Sequence, residues 1–191
     1  FLLYINDVCQ GELTVASKKV NKENVVYSLP LDNDYSFNDH YSVLINEVGF
    51  VKVNTSRAVD FKEFDELFSY DGDDLGTVIE DDRTSFAVWS PLASQVKLKI
   101  ENKNDSFVCY DMCRSSKGVY RITLNENLDG KKYHYIITNN GVTRETNDPW
   151  GKEVSLNSEY SVVTDNNKLY SLDSVHFKNS TDNLLKCIKY K

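Results

Sequence analysis

The chain has 191 residues, 40% of them hydrophobic and 27% charged, and its formal net charge is −7. This length allows one or two domains with a real core. The acidic balance argues against nucleic acid or an anionic membrane surface as the main partner, and no apolar run approaches the roughly 20 residues that a membrane-spanning helix needs.

The beginning of the chain carries no visible targeting signal. Residues 1–5, FLLYI, are too short for the core of a signal peptide and lack a basic flank. The one methionine is Met112, so we interpret the sequence as a piece of a longer protein. We expect a cytoplasmic rather than a secreted location.

The first 65 residues carry a β pattern. Twelve tyrosines and nine phenylalanines against one methionine and three prolines favour strands. The runs LLYINDV, ELTVA, NVVYSL and YSVLINEVGFVKV follow one another at about ten-residue spacing, as in a sandwich or barrel. After them, DFKEFDELFSY predicts a helical turn, with Phe61, Phe64, Leu67 and Phe68 sharing one face.

The stretch YDGDDLGT that comes next has some features of a calcium loop. Asp71, Asp73 and Gly76 fall at positions 1, 3 and 6 of such a loop, and Asp82 falls at position 12. However, Leu75 stands at position 5, where it supplies no side-chain oxygen, and flanking amphipathic helices are missing. The pattern therefore favours a solvated turn, and we predict no metal there.

We interpret the same stretch as a junction between two β units. Gly72 and Gly76 allow the backbone to bend, and Tyr70 is expected to anchor the end of the first unit. Leu75 is the one apolar residue between the glycines, so we expect it to be buried at the start of the second unit. Asp71 and its acidic neighbours hydrate and cap the crossover.

The second unit shows cleaner alternation. In SFAVW, Phe86 and Val88 point one way and Ala87 and Trp89 the other. In QVKLKI, residues 95–100, three apolar side chains alternate with two lysines, which is typical of a half-buried strand.

Three more strands and a turn come after these. VYRITL, YHYIIT and VTRET have strand patterns, and Asn140-Gly141 is a signal for a two-residue hairpin turn. Pro149 then ends the pattern, because it has no amide hydrogen to give to a sheet.

The sequence thus predicts an all-β fold with two consecutive β domains. The predicted segments are a first β domain at 1–65, a junction at 66–76, a second β domain at 77–165, and a linker at 166–191.

Catalytic and metal-binding motifs are absent from the sequence. There is no G-x-S-x-G and no H-E-x-x-H. Four suitable zinc ligands cannot be assembled, because the three histidines stand apart from the cysteines. We therefore predict no cofactor, no catalytic residue, and four free thiols: Cys9, Cys109, Cys113 and Cys187.

A longer pattern resembles the type I pullulanases. Their signature reads F-x-Y-D-G-x-x-L-G and, about ten residues later, T-x-F-x-V-W-x-P-x-A-x-x-V-x-L. The segments GVYRITLNENLDGKKYHYIITNNG and ETNDPWGKEVSLNSEYSVVTD are also similar to that family. The positions that match the signature are Phe68, Tyr70, Asp71, Gly72, Leu75, Gly76, Thr84, Phe86, Val88, Trp89, Pro91, Ala93, Val96 and Leu98.

The resemblance implies an architecture and a role. The second domain would be an immunoglobulin-like, early-set β-sandwich of carbohydrate-binding module family 48, and residues 1–60 would be a variable N-terminal β domain. In the family a (β/α)8 barrel comes next and hydrolyses α-1,6 branch points. The catalytic blocks of that barrel are absent here, so this piece is expected to support the barrel, with 166–191 as a linker toward it.

Binding of α-glucan by the piece alone is left open by the resemblance. Glycogen-binding relatives use a Trp three residues before an Asp-Pro pair, where this chain has Glu145, and a second Trp in a turn that corresponds to ENKNDSF. We therefore predict that Trp89 and Trp150 face the barrel. One alternative is an autonomous glucan-binding module that uses Tyr133, Tyr135 and Trp150, although the two tyrosines share a face that is more often core. Another alternative is a structural β-sandwich unrelated to sugars.

Overall fold

The structure, a computed structural model, describes residues 1–31, 36–102 and 106–165. It confirms the predicted all-β class, with strands forming two separate sheet systems. No helix in these ranges has the length and apolar character needed to span a bilayer. The predicted linker at 166–191 lies outside the described residues, as do Cys187 and residues 103–105 of the predicted turn ENKND.

The N-terminal unit consists of a four-stranded antiparallel sheet and a separate hairpin. The strands of the unit are β1 (Leu2–Ile5), β2 (Val8–Glu12), β3 (Ser17–Val20), β4 (Val25–Ser28), β5 (Tyr41–Ile45) and β6 (Gly49–Lys52). The sheet has the strand order β2-β1-β5-β6, and β3 pairs with β4 in the hairpin.

Turns divide the predicted runs in this unit. LLYINDV contains a tight turn at Asn6 and Asp7, both with positive φ, so it forms one strand and the start of the next. ELTVA is wrong as a strand, because after Glu12 the chain is irregular until Ser17. Asn and Asp tolerate the left-handed backbone region that such a turn requires.

A short helical segment connects the two sheet systems. It consists of a 3-10 helix at Ser56–Asp60 and the α-helix α1 at Lys62–Phe68. Of the predicted helix face, Phe64 is buried, but Phe61 and Leu67 are more than half exposed. The helix therefore buries a narrower stripe than predicted, in which Phe64 and Phe68 pack against each other and against Phe37.

The second system is a sandwich of two antiparallel sheets. One has the order β10-β9-β13-β16-β15, with β14 also pairing with β13, and the other has the order β11-β12-β8-β7. The strands are β7 (Gly76–Glu80), β8 (Arg83–Trp89), β9 (Ala93–Glu101), β10 (Phe107–Asp111), β11 (Cys113–Arg114), β12 (Val119–Leu124), β13 (Lys132–Asn139), β14 (Val142–Thr146), β15 (Glu153–Val154) and β16 (Ser161–Val162).

The core of the molecule lies between these two sheets. Phe86 and Val88 of β8 and the three apolar residues of QVKLKI are at most 2% exposed, which confirms the predicted alternation. Asn140 and Gly141 both have positive φ and join β13 to β14 as a two-residue turn, as predicted. The segments VYRITL and VTRET form β12 and β14.

Candidate functional site

The acidic junction is organised by one arginine of the sandwich. Arg121 of β12 contacts Asp74 through Nη1 at 2.7 Å from Oδ2, and through Nη2 it donates to the Tyr70 hydroxyl at 2.8 Å. That hydroxyl in turn donates to Asp74. The hydrogen bond from Arg121, and to a smaller extent the one from Tyr70, holds the pKa of the Asp74 carboxyl below its usual value. Asp74 is therefore a charged partner of the sandwich, although, like Asp71 and Asp73, it is exposed to solvent.

The two glycines of the junction serve different purposes. Gly76 has a φ of +94°, and a Cβ there would lie 3.0 Å from the backbone oxygen of Trp150. At Gly72 a Cβ would collide with the Tyr70 ring, which folds back over the chain toward Asp74. Gly76 therefore provides the bend and a close approach, while Gly72 makes room for the Tyr70 side chain.

A cleft of about 350 Å³ opens beside the junction and is lined by both tryptophans. Leu75 lies in its wall, partly exposed, so the prediction that this side chain is buried is only half correct. Trp150 is 39% exposed, and it contacts the junction at Gly76. The cleft therefore places an open indole next to the bend between the two units.

Trp89 binds the C-terminal end of α1 to the sandwich. Its indole N–H lies 3.0 Å from the carbonyl oxygens of both Phe68 and Lys117. The Lys117 ammonium donates to the carbonyl of Glu66 at 2.9 Å. Carbonyls at a helix C-terminus lack partners within the helix, and a cation nearby is favourable there. Trp89 thus lies at an interface within this chain.

The loop after Trp89 binds the N-terminal unit through its carbonyls. Arg114 donates to the carbonyl of Pro91 at 2.9 Å and to that of Ala93 at 3.0 Å. Asn38, from the N-terminal unit, donates to the same two carbonyls, at 2.9 Å for Ala93. The Arg114 guanidinium also lies 5.8 Å from the centre of the Phe68 ring. The W-x-P-x-A part of the signature therefore connects the two units.

Tyr133 and Tyr135 are core residues, which corrects their interpretation as a sugar-binding or barrel-facing surface. Both are 0% exposed, and both hydroxyls donate to Oδ2 of Asp148, at 2.8 and 3.2 Å. They alternate with His134 on β13, and the inward positions of that strand meet Phe86 of the facing sheet. Burial raises the pKa of Tyr133 far above its usual range.

Asp148 also determines the path of the chain into Trp150. Its Oδ1 accepts a hydrogen bond from the Trp150 amide at 2.8 Å, and its own amide donates to Ser161 at 2.9 Å. Burial raises the pKa of the carboxyl, while the hydrogen bonds from Trp150 and the tyrosines favour its charged form. Asp148 is therefore a buried anchor for the Asp-Pro-Trp turn, which presents Trp150 at the surface.

The outward face of β13 and β14 carries an ion cluster. Glu145 contacts Lys99 at 2.9 Å and His134 Nε2 at 2.9 Å. Lys99 lowers the pKa of Glu145, and burial lowers the pKa of His134. The His134 ring also stacks on Tyr160, 5.0 Å between centroids, and more distantly on Phe107. At the position that the resemblance assigns to a sugar-stacking Trp, this chain thus has a salt-bridged carboxylate.

Several residues that organise the site were not predicted from the sequence. Arg121, Arg114, Asn38 and Asp148 make the contacts described above, yet the first three are single polar residues with no local motif. Asp148 could have been suspected from its place before Pro149 at the end of the strand pattern. The other three depend on contacts between segments far apart in the chain.

Metal ligands and disulfides do not mark a site in the part of the chain that the structure describes. No group of three or more His, Cys, Asp or Glu is placed to hold a metal ion there. Cys9, Cys109 and Cys113 are exposed and unpaired.

The two-sheet sandwich belongs to a class of carbohydrate-binding-type β modules. Residues 74–151 match the family described as carbohydrate-binding module 48 (isoamylase N-terminal domain). This is the class of the sandwich, and it confirms the predicted family of the second domain.

The relatives that match over most of the chain are pullulanases. The chain is 33% identical over 145 residues to a pullulanase of Bacillus subtilis strain 168, which is 72% of this chain and 20% of that protein. The crystal structure of a pullulanase from Anoxybacillus sp. LM18-11 superimposes with a TM-score of 0.74 at 29% identity, over 87% of this chain and 24% of that one. The pullulanase type I of B. subtilis strain 168, complexed with maltose, gives 0.72 at 29% identity, over 85% and 23%.

This chain corresponds to the N-terminal region of the type I pullulanases and carries a carbohydrate-binding module 48 domain. It spans about a fifth to a quarter of the length of the pullulanases named above.

Proposed function

We propose that this chain is the non-catalytic N-terminal portion of a pullulanase-type enzyme that hydrolyses α-1,6-glucosidic branch points in pullulan, amylopectin or glycogen. Its role is to support a (β/α)8 catalytic barrel and to shape one edge of the substrate cleft. The cytoplasmic location expected from the sequence stays a prediction.

The observation that carries the proposal is that the signature residues make contacts within this chain. Trp89, Pro91 and Ala93 hold the two units of this chain together, and Gly76 lies against Trp150. Signature residues that make contacts within the chain are suited to a rigid support for a neighbouring domain. The sequence also carries none of the catalytic blocks of the barrel.

Trp150 is the proposed contact with the barrel. It is partly exposed on an anchor that Asp148 fixes, and it lines the cleft beside the junction. A large aromatic side chain presented from a rigid turn loses little entropy on binding, and such residues often dominate interfaces. The open indole therefore suits a permanent protein neighbour.

The first test concerns activity. The reading frame that contains this chain is expressed together with its downstream coding sequence, and release of reducing ends from pullulan is measured. We expect hydrolysis by the longer protein and none by the 191-residue chain. A longer protein that folds but leaves pullulan intact would reject the proposal.

The second test concerns support of the barrel. Trp150→Ala should lower the thermal midpoint of the longer protein clearly more than that of the 191-residue chain, because the chain alone lacks the proposed neighbour. Tyr110→Ala is the matched control, since Tyr110 is 37% exposed but lies on β10. Equal shifts for Trp150→Ala in both proteins would contradict the proposed contact.

A further inference from the structure

The turn between β13 and β14 contains the one Asn-Gly pair of the sequence, Asn140-Gly141. Glycine has no Cβ to hinder its amide nitrogen, so an Asn-Gly bond is the asparagine linkage most prone to deamidation. In that reaction the backbone nitrogen of the glycine attacks the side-chain amide of the asparagine before it. The pair is therefore a candidate site of covalent modification.

The N-terminal unit holds the side chain of Asn140 in place. Its Nδ2 donates to the carbonyl of Val53 at 2.9 Å, across a separation of 87 residues in the sequence. Its Oδ1 is buried and has no hydrogen-bond donor among the described residues. The carboxamide is thus enclosed where the hairpin turn meets the residue after β6, and it cannot rotate without breaking its bond to Val53.

The attacking group of the reaction is more accessible than the carboxamide. Gly141 is exposed, and its amide donates to no acceptor in the part of the chain that the structure describes. A Cβ at Gly141 would lie 3.8 Å from the Lys52 ammonium and 4.0 Å from Cγ of His40, both of the N-terminal unit. The position of the carboxamide, rather than access to the Gly141 nitrogen, therefore limits the reaction.

Deamidation of this pair proceeds in two balanced steps. In the first, a bond forms between the Gly141 nitrogen and Cγ of Asn140, the Cγ–Nδ2 bond breaks, and ammonia leaves with the former amide proton of Gly141. In the second, water adds to one of the two carbonyls of the cyclic imide, and the ring opens to aspartate or isoaspartate at position 140. Neither step requires an oxidant or a cofactor.

The product does not fit the place that Asn140 occupies. A carboxylate has no N–H to give to the carbonyl of Val53, so two acceptors would face each other where Nδ2 now donates. The other oxygen would carry charge at the position of Oδ1, which is buried without a donor among the described residues. Burial of an unpaired charge is unfavourable. Isoaspartate also adds a carbon to the backbone of a turn whose two residues both have positive φ.

We infer that Asn140 is a deamidation site that the docked N-terminal unit protects. Separation of the two units frees the carboxamide to rotate toward the Gly141 nitrogen, and the resulting carboxylate weakens renewed docking at Val53. The site thus records in covalent form that the units have separated. This inference does not depend on the proposed function.

The first experiment measures the rate of deamidation in the 191-residue chain at mildly alkaline pH. Fragmentation of the tryptic peptide 133–144 assigns the change in mass to Asn140, and enzymatic methylation detects isoaspartate. Asn38→Ala removes another contact between the units, to the carbonyl of Ala93, and should raise the rate at least threefold. Asn24→Ala, at an exposed asparagine between β3 and β4 of the same unit, is the matched control and should leave the rate unchanged.

The second experiment measures the effect of the product on docking. Asn140→Asp introduces the carboxylate directly and keeps the hairpin, because Asp-Gly favours the same two-residue turn. Amide hydrogen exchange should accelerate in β5 and β6 but not in β9 and β13. Asn139→Asp places the same charge on the adjacent exposed residue and should leave exchange within twofold of the wild type. The deamidated fraction of the aged wild-type chain, separated by ion exchange, should behave like Asn140→Asp.

Either of two results would overturn the inference. Equal rates of deamidation in the wild type and in Asn38→Ala would mean that docking does not protect Asn140. Wild-type exchange in Asn140→Asp would mean that the carboxylate finds a partner, with Lys52 the nearby cation, and that docking is not weakened. If Asn38→Ala does not fold, the wild type in urea below its unfolding transition replaces it, and a rate that does not rise with urea contradicts the protection.

Discussion

The two units of this chain are stabilised in different ways. The sandwich has a continuous core of residues at 0–7% exposure that spans both sheets. In the N-terminal unit the buried apolar residues are few, chiefly Leu3, Tyr41 and Ala58, and the strands β3 and β4 are exposed throughout.

This contrast explains why the junction carries so many contacts. Phe64 and Phe68 of α1 pack with Phe37 in edge-on and tilted geometries, at 5.0 to 5.7 Å between centroids. Arg114 and Asn38 add hydrogen bonds to the loop of the sandwich that follows Trp89. A unit with little core of its own gains stability by docking on one that has more, so we expect the N-terminal unit to depend on the sandwich.

The largest effect is expected in the core of the sandwich. Asp148→Ala should cost about 3–5 kcal/mol, because it leaves two buried tyrosine hydroxyls without their acceptor and frees the Trp150 turn. Denaturant unfolding measures the loss. Asp82→Ala, in the exposed turn between β7 and β8, is the control and should cost little. A loss below about 1 kcal/mol for Asp148→Ala would show that Asp148 does not anchor the tyrosines and the Trp150 turn.

A smaller effect is expected at the aromatic cluster of the junction. Phe64→Ala should cost roughly 3 kcal/mol, since Phe64 is 4% exposed and packs between two rings. In Phe64→Ala, amide hydrogen exchange should accelerate more in β1 and β5 than in β9 and β13, relative to the wild type. Leu67→Ala, on the same helix but 54% exposed, is the control. Uniform acceleration across both units would show that they unfold together.

Trp89→Phe should cost about 1–2 kcal/mol, because it removes the indole N–H that donates to the carbonyls of Phe68 and Lys117 but keeps an aromatic ring. The measurement is the unfolding free energy, with exchange of the α1 amides as the local readout. If those amides exchange at the wild-type rate, Trp89 does not hold the helix.

The smallest effect is a pH dependence at the junction. The pKa of Asp74 is lowered by folding, so its contribution is present above the unfolded pKa, near 3.8, and is lost as pH falls through the folded value. Because Asp74 is about half exposed, the contribution should be below about 1 kcal/mol. Asp74→Asn should therefore be less stable than the wild type at pH 6, and the difference should shrink as the pH falls below 3.8.

The sandwich contains a carboxyl with the opposite pH dependence. Folding raises the pKa of Asp148, so its contribution is full below the unfolded pKa and falls as pH rises through the folded value. Asp148 is present in both the wild type and Asp74→Asn, so the difference between these two proteins should still grow with pH. A difference that shrinks from pH 2 to pH 6 would mean that Arg121 does not stabilise the charged carboxylate.

The sequence predicted the sandwich better than the N-terminal unit, for a physical reason. The strands β8, β9 and β12 of the sandwich have a buried face and show regular patterns, and Asn140-Gly141 is a clear turn signal. In the N-terminal unit burial is sparse, and the alternation in ELTVA did not correspond to a strand.

The site was predicted in part. Trp89, Gly76 and Tyr70 lie at the junction between the units, and a recognisable signature carries all three. Tyr133 and Tyr135 share one face of β13, but strand periodicity alone does not say whether that face points to the core or to the surface. Arg121 could not be predicted at all, since its partners lie about fifty residues away in the sequence.

The dependence of the N-terminal unit on the sandwich can be measured most directly by separating them. Residues 1–73 and residues 74–165 are produced as two polypeptides and unfolded thermally, with circular dichroism as the readout. We predict a cooperative transition for 74–165 and none for 1–73, although the latter retains α1 and its aromatic cluster. A cooperative transition in 1–73 at a midpoint near that of the intact chain would contradict the account.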